Sequence, residues 1–146
     1  KLGDLYYDLK LGKDKKAKAT QWYLKAAEQG DLHSQYRVAV MYYNGKYYYA
    51  ARKWFQIAAD RDHASAQSYL GYMHDRGLGG PKNLDKAFEL YKKSATNGDR
   101  VGMYNLASCY QSGIGTVKNT YLAKTWYQKS CEKGYKNACD VIAKRY

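Results

Sequence analysis

Four segments recur along the chain in one register, and that recurrence constrains the fold more than any other feature. They read Trp22-Tyr23-Leu24-Lys25-Ala26-Ala27, Trp54-Phe55-Gln56-Ile57-Ala58-Ala59, Leu90-Tyr91-Lys92-Lys93-Ser94-Ala95 and Trp126-Tyr127-Gln128-Lys129-Ser130-Cys131. From Trp22 to Trp54 is 32 residues, and Trp54 to Leu90 and Leu90 to Trp126 are 36 residues each. Three residues before each segment stands an alanine: Ala19, Ala51, Ala87 and Ala123. A period in this range marks supersecondary units that stack, because one unit alone cannot bury its apolar face.

A second column precedes the first. Val38-Ala39, Leu70-Gly71 and Leu106-Ala107 are followed by Tyr42, His74 and Tyr110, four residues after the first member of each pair. Leu2-Gly3 with Tyr6 starts the same pattern. Apolar residues at three- and four-residue spacing make both columns stripes of amphipathic helices. Gly77-Leu78-Gly79-Gly80-Pro81 and Gly113-Ile114-Gly115 separate the helices of their units, with Asn83 and Asn119 placed as N-caps of the second helices. Gly30, Gly98 and Gly134 close the second helices. The glycine motifs read as turns, since a phosphate loop needs a preceding strand and a Gly-Lys-Ser/Thr ending. Ser34, Ala66, Gly102 and Ala138 form a column of small residues that lets helix backbones approach closely.

The pattern Leu-Gly-x-x-Tyr, Gly-x-Gly, Lys-Ala-x-x-Trp-Tyr-x-x-Ala-Ala-x-x-Gly resembles the Sel-1-like repeat, a relative of the tetratricopeptide repeat. Leu70-Gly71, Gly77-Leu78-Gly79, Asp85-Lys86-Ala87 and Gly98 match it best, and Trp22-Tyr23 with Ala26 to Asp31 repeats its end. The resemblance implies an all-α, right-handed solenoid of about four helical hairpins. The units fall near 1–30, 31–62, 63–98 and 99–134, with a capping helix at 135–146, in one domain spanning 1–146. Two connections depart from the pattern: Leu9-Lys10-Leu11-Gly12, and Asn44-Gly45-Lys46-Tyr47-Tyr48-Tyr49, which reads as a compact aromatic turn. The start inside a helix pattern suggests that further repeats precede Lys1 or that a cap was lost.

Cys131 and Cys139 lie eight residues apart, at the end of the last hairpin and the start of the next helix. The spacing is similar to that of cysteine-rich Sel-1-like proteins secreted by some bacteria, which pair a cysteine here with one eight residues on. That likeness implies a disulfide and a periplasmic or secreted protein. The alternative is two reduced core residues in the cytoplasm. Ala27, Ala59 and Ala95 occupy the first cysteine position in the other units, and Gln35, Gln67 and Met103 the second. Cys109 aligns with Met41 and Met73 and reads as a buried filler.

The sequence offers little chemistry. His33, His63 and His74 form no metal-ligand spacing with one another or with a cysteine pair, and His74 occupies the tyrosine column. No nucleophile motif of the Gly-x-Ser-x-Gly kind is present, so no catalytic residue, metal or cofactor is expected. Some cysteine-rich relatives are described as β-lactam-binding or hydrolysing, but no Ser-x-x-Lys motif supports transferring that here. The formal charge of +12 suits acidic partners, anionic lipid surfaces or nucleic acid. The lysines are spread through helical patterns and no nucleic-acid module is recognised, so a cationic nucleic-acid binder is an alternative only. No stretch reaches 18 consecutive apolar residues, the length a spanning helix needs.

Binding another protein or peptide, one of acidic character, is therefore the expected role, as an adaptor, scaffold, or inhibitor of the immunity-protein kind. The tetratricopeptide relatives imply that the first helices line a concave groove, through residues standing off the Leu-Gly-x-x-Tyr stripe. Transferred by register, these are Tyr36, Val40, Tyr43 and Asn44, then Ser68, Tyr72, Asp75 and Arg76, then Tyr104, Ser108, Gln111 and Ser112, with Tyr7 and Asp8 extending the row. Rigid aromatics mixed with adaptable hydrogen-bonding groups suit recognition.

Overall fold

The computed structural model describes the backbone from Lys13 to Tyr146 and the side chains from Lys18 onward. Eight helices follow one another among the described residues: α1 Lys13–Glu28, α2 Leu32–Asn44, α3 Tyr48–Asp60, α4 Ala64–Arg76, α5 Leu84–Thr96, α6 Arg100–Ser112, α7 Thr120–Glu132 and α8 Lys136–Arg145. Each packs chiefly on its neighbours in sequence, and α4 also meets α6, so successive hairpins stack into a right-handed α-solenoid. No described helix is long and apolar enough to cross a membrane.

Caps fix the helix boundaries. Asp31 and Asp99 accept the Ser34 and Gly102 amides at 2.9 and 2.7 Å, while Asn83 and Asn119 accept those of Lys86 and Leu122, both at 3.0 Å. His63 takes the same part for α4, its Nδ1 accepting the Ala66 amide at 3.1 Å. Gly77 and Gly113 end α4 and α6 in the left-handed conformation. The short second-unit connection differs from expectation. Gly45 has φ −81°, Lys46 takes the left-handed position with φ 64°, and Tyr48 and Tyr49 already belong to the first turn of α3.

The core follows the columns, with one shift. Ala19, Ala51, Ala87 and Ala123 are fully buried, as are Leu70 and Leu106. In the repeated aromatic segment the deepest side chain is the second one: Tyr23, Phe55, Tyr91 and Tyr127 are buried, whereas Trp22 is 47% exposed. The small-residue column lies at the close contacts between units. At Gly102 an added Cβ would collide with the side chain of Ser94 in the preceding unit; inside the third unit, one at Gly71 of the Leu-Gly pair would lie 2.8 Å from the Tyr91 ring.

Two sets of side-chain bonds recur, the glutamine set between successive hairpins and the serine set between the two helices of one hairpin. Gln35 and Gln67 donate to the carbonyls of Ala27 and Ala59 at 3.3 and 3.2 Å. Ser94 and Ser130 donate to the carbonyls of Ala64 and Arg100 at 2.8 and 2.7 Å. The link at the glutamine position is covalent in the last unit, where Cys131 and Cys139 are bonded with their Cα atoms 4.7 Å apart. Where Gln35, Gln67 or Cys139 stands, an amide hydrogen bond or a disulfide thus links the end of one hairpin to the start of the next helix, and Met103 packs in the core at the remaining junction.

Arg52 on α3 latches onto the next hairpin. Its Nη2 pairs with Nδ1 of His74 and donates to the Pro81 carbonyl at 2.9 Å. Burial, then the charges of Arg52 and Lys86, push the His74 imidazole down to about 4 from its ordinary 6.5. A histidine held neutral in the fold stabilises it fully above pH 6.5, and that contribution is lost as pH falls from 6.5 through about 4. The melting temperature is therefore expected to fall across this window, and to fall less in a His74→Gln variant. A pH profile unchanged by the substitution would contradict the latch.

Candidate protein-binding groove

The first helices of successive hairpins, α2, α4 and α6, meet along one face and leave a hollow of about 380 Å³ there. Its walls are Tyr36, Tyr43, Ser65, Ser68, Tyr69, Tyr72, Asp99, Val101 and Asn105. Tyr43 and Tyr36 come from α2, and Tyr69 and Tyr72 from α4. Phe55 from α3 is buried behind these rings, stacked on Tyr69 with ring centroids 4.7 Å apart and in tilted or edge contact with Tyr36 and Tyr43. Tyr36 stacks on His63 at 4.4 Å, so a capping residue also buttresses the wall.

The Tyr36 and Tyr43 hydroxyls keep their protons at physiological pH. Burial, with Tyr69 and Asp99 nearby, pushes the Tyr36 hydroxyl up to about 12. Burial also raises Tyr43. The Asp99 carboxylate serves α6 as its cap and accepts from Ser65 at 3.3 Å. The result is an aromatic hollow with hydroxyl, amide and carboxylate groups at its rim, fitted to an apolar or aromatic side chain on a segment offering hydrogen bonds.

The structure divides the residues expected in the groove between two hollows. Tyr36, Tyr43, Ser68 and Tyr72 line the first. Tyr104, Ser108, Gln111 and Ser112 line a second, wider hollow of about 700 Å³ between α6, α7 and α8, with Tyr127, Val141 and Arg145. Ser108 and Gln111 are engaged there by the Tyr127 hydroxyl, at 3.0 and 2.7 Å. Tyr104 packs edge-on to Tyr127 and Tyr135. Asp75 accepts from the Tyr91 hydroxyl at 3.4 Å, the Arg76 guanidinium lies over the Tyr72 ring at 5.4 Å, and Val40 packs against the core. Asn44 is exposed at the end of α2. Tyr7 and Asp8 lie outside the described residues.

Ser65, Tyr69, Val101 and Asn105 complete the first hollow without having been picked from the sequence. They stand five and one residues before Leu70 and Leu106, a four-residue step on one helical face. That stripe faces the preceding hairpin, so each hollow combines different faces of neighbouring first helices. The repetition of serine or valine and tyrosine or asparagine at those two offsets was the available signal.

Cys109 is buried, and burial together with the Asp75 charge pushes its thiol up to about 12. It is protonated at neutral pH, which is the state of a packing residue and not of a nucleophile. Among the described residues no cluster of His, Cys, Asp and Glu could hold a metal ion.

The family model described as Sel1 repeat matches residues 1–31, 32–63, 64–99 and 101–135. The crystal structure of a Sel1 repeat protein from Oxalobacter formigenes is similar with a TM-score of 0.88 at 36% identity, over 99% of this chain and 59% of that one. Cysteine rich protein B of Helicobacter pylori is similar with a TM-score of 0.67 at 26% identity, over 86% of this chain and 92% of that one. A curated relative is the ERAD-associated E3 ubiquitin-protein ligase component HRD3B of Arabidopsis thaliana, 31% identical over 64% of this chain and 15% of its own length. The chain spans 8%, 13% and 26% of three further curated relatives. Repeats of this kind serve as protein-interaction modules. Four consecutive matches that follow the helical hairpins described above show that the chain belongs to the Sel1 repeat family.

Proposed function

We propose that this protein is a dedicated binder that holds one segment of a partner protein along the tyrosine-lined face, with an anchoring side chain in the hollow between α2, α4 and α6. The observation supporting this reading is the hollow itself, which presents Tyr36, Tyr43, Tyr69 and Tyr72 around an open space of about 380 Å³. Tyrosines braced by Phe55 and His63 lose little freedom on binding, which favours affinity. The second hollow, with Tyr104, Ser108 and Gln111, would receive the continuation of the same segment.

The partner is an acidic protein on this reading, because a chain of +12 attracts one over long range. An adaptor, a scaffold and an inhibitor of the immunity type all work through such a surface. The Cys131–Cys139 bond and the likeness to a cysteine rich protein of Helicobacter pylori support action in an oxidising compartment, the periplasm or the exterior. The test is affinity purification of the tagged, non-reduced protein from its native cells, followed by titration of the recovered partner. Tyr72→Ala is expected to weaken binding about tenfold, as loss of an aromatic contact at an interface does. An affinity unchanged by Tyr72→Ala and by Tyr43→Ala would rule the hollow out.

A further inference from the structure

Folding gathers lysines that look dispersed in the sequence. Lys46, Lys82 and Lys118 share one register, 36 residues apart, each exposed and each two residues before the second helix of its hairpin. Three residues further on in that register stand Tyr49 and Tyr121, which are 72% and 78% exposed, and Val117 beside Lys118 is 85% exposed. Asp85 takes the tyrosine place in the middle turn.

The three turns form one continuous edge. Gly79 seats its turn on the backbone of Tyr48 at the start of α3, and Gly115 seats the next on the backbone of Leu84 at the start of α5. The Lys53 ammonium lies over the Tyr49 ring at 5.7 Å, so the ring is presented together with a charge. The other edge of the solenoid is more mixed: there carboxylates stand among the basic residues at every turn, Glu28 and Asp31, Asp60 and Asp62, Asp99, and Glu132.

We infer that the turn edge is a peripheral docking surface for an anionic lipid bilayer. Lysines near such a surface are drawn to acidic headgroups, while tyrosine rings settle at the headgroup boundary and an aliphatic tip gains by leaving water. A single-stranded nucleic acid fits the edge less well. It requires a groove that follows the backbone and rings on which bases stack, whereas Tyr49 and Tyr121 project from the first turns of α3 and α7, Val117 projects from the connection before α7, none of the three lines a hollow described above, and Val117 stacks nothing. The docking surface shares no residue with the first hollow and meets the second at Lys118, so vesicle binding and partner anchoring at Tyr72 can fail independently.

The test is co-sedimentation of the full chain with vesicles of phosphatidylcholine mixed with phosphatidylglycerol, against vesicles of phosphatidylcholine alone. Binding is expected only with the anionic lipid and is expected to fall with salt. Lys82→Glu with Lys118→Glu should weaken it about tenfold or more, and Tyr49→Ser with Val117→Ser and Tyr121→Ser about tenfold. Lys25→Glu with Lys133→Glu on the other edge should change it about twofold at most. In a Val117→Trp variant, mixed vesicles should shift the added tryptophan emission to the blue. Absence of binding, equal binding to both vesicles, or an unshifted Val117→Trp emission would overturn the inference. So would equal affinity for a single-stranded oligonucleotide that survives the three serine substitutions.

Discussion

Phe55→Ala is expected to lower the free energy of unfolding by about 3–5 kcal/mol, measured by urea denaturation followed by circular dichroism. Phe55 is fully buried and lies where its own helix α3 meets α2 and α4: its ring meets Tyr36 and Tyr43 of α2 and stacks on Tyr69 of α4. Truncation removes the transfer contribution of the ring and leaves a cavity that stiff aromatic neighbours cannot collapse into. In a solenoid each unit is stabilised by its neighbours, so a weakened second unit also loosens the contact with the third. The same substitution should remove the support behind Tyr36, Tyr43 and Tyr69, and partner binding should weaken even where the variant remains folded. A loss below about 1 kcal/mol would mean that the central aromatic cluster is not the packed core described here.

Gly115→Ala is expected to cost about 3 kcal/mol, while Gly98→Ala costs about 1–2 kcal/mol, because both force a left-handed residue but only the first adds a collision. Gly115 has φ 66° and Gly98 φ 93°. A methyl group at Gly98 meets nothing within 4 Å, whereas at Gly115 it would strike the Leu84 carbonyl and lie 2.8 Å from Cβ of Phe88. Backbone cannot rotate aside as a long side chain can, so the turn would have to lift from α5. Thermal unfolding of the two variants measures the difference directly. Equal losses would show that the turn does not sit on the preceding hairpin.

These two sites also show what the sequence made legible. Alanine and glycine columns report close approach, and close approach is geometric, so Ala51, Ala66 and Gly102 placed the stacking contacts correctly. The tryptophan column was a weaker guide to depth. Trp22 and Trp54 are large enough to lie across the rim, and the neighbouring Tyr23 and Phe55 point inward, a distinction of one helical step that periodicity alone blurs. Asp62 adopts a left-handed conformation where Gly30, Gly98 and Gly134 stand in other units, and Lys46 does so directly after Gly45, because the connection, not the residue type, sets the backbone there. For the groove, the offsets taken from related repeats found Tyr36, Tyr43, Ser68 and Tyr72 but not Ser65, Tyr69, Val101 or Asn105. The second set belongs to the face turned toward the preceding hairpin, and which face meets which depends on the rotation between units. That rotation is a sum of many small packing choices and is not written at any single position.

The binding claim is tested most directly by replacing Tyr72 with a photo-crosslinking amino acid in the native cells and comparing it with the same replacement at Lys93 on the outer side of α5. Irradiation is expected to join one partner protein to position 72, with no adduct at position 93. An adduct confined to position 93, or none at position 72 while the partner still co-purifies, would contradict recognition through the tyrosine hollow.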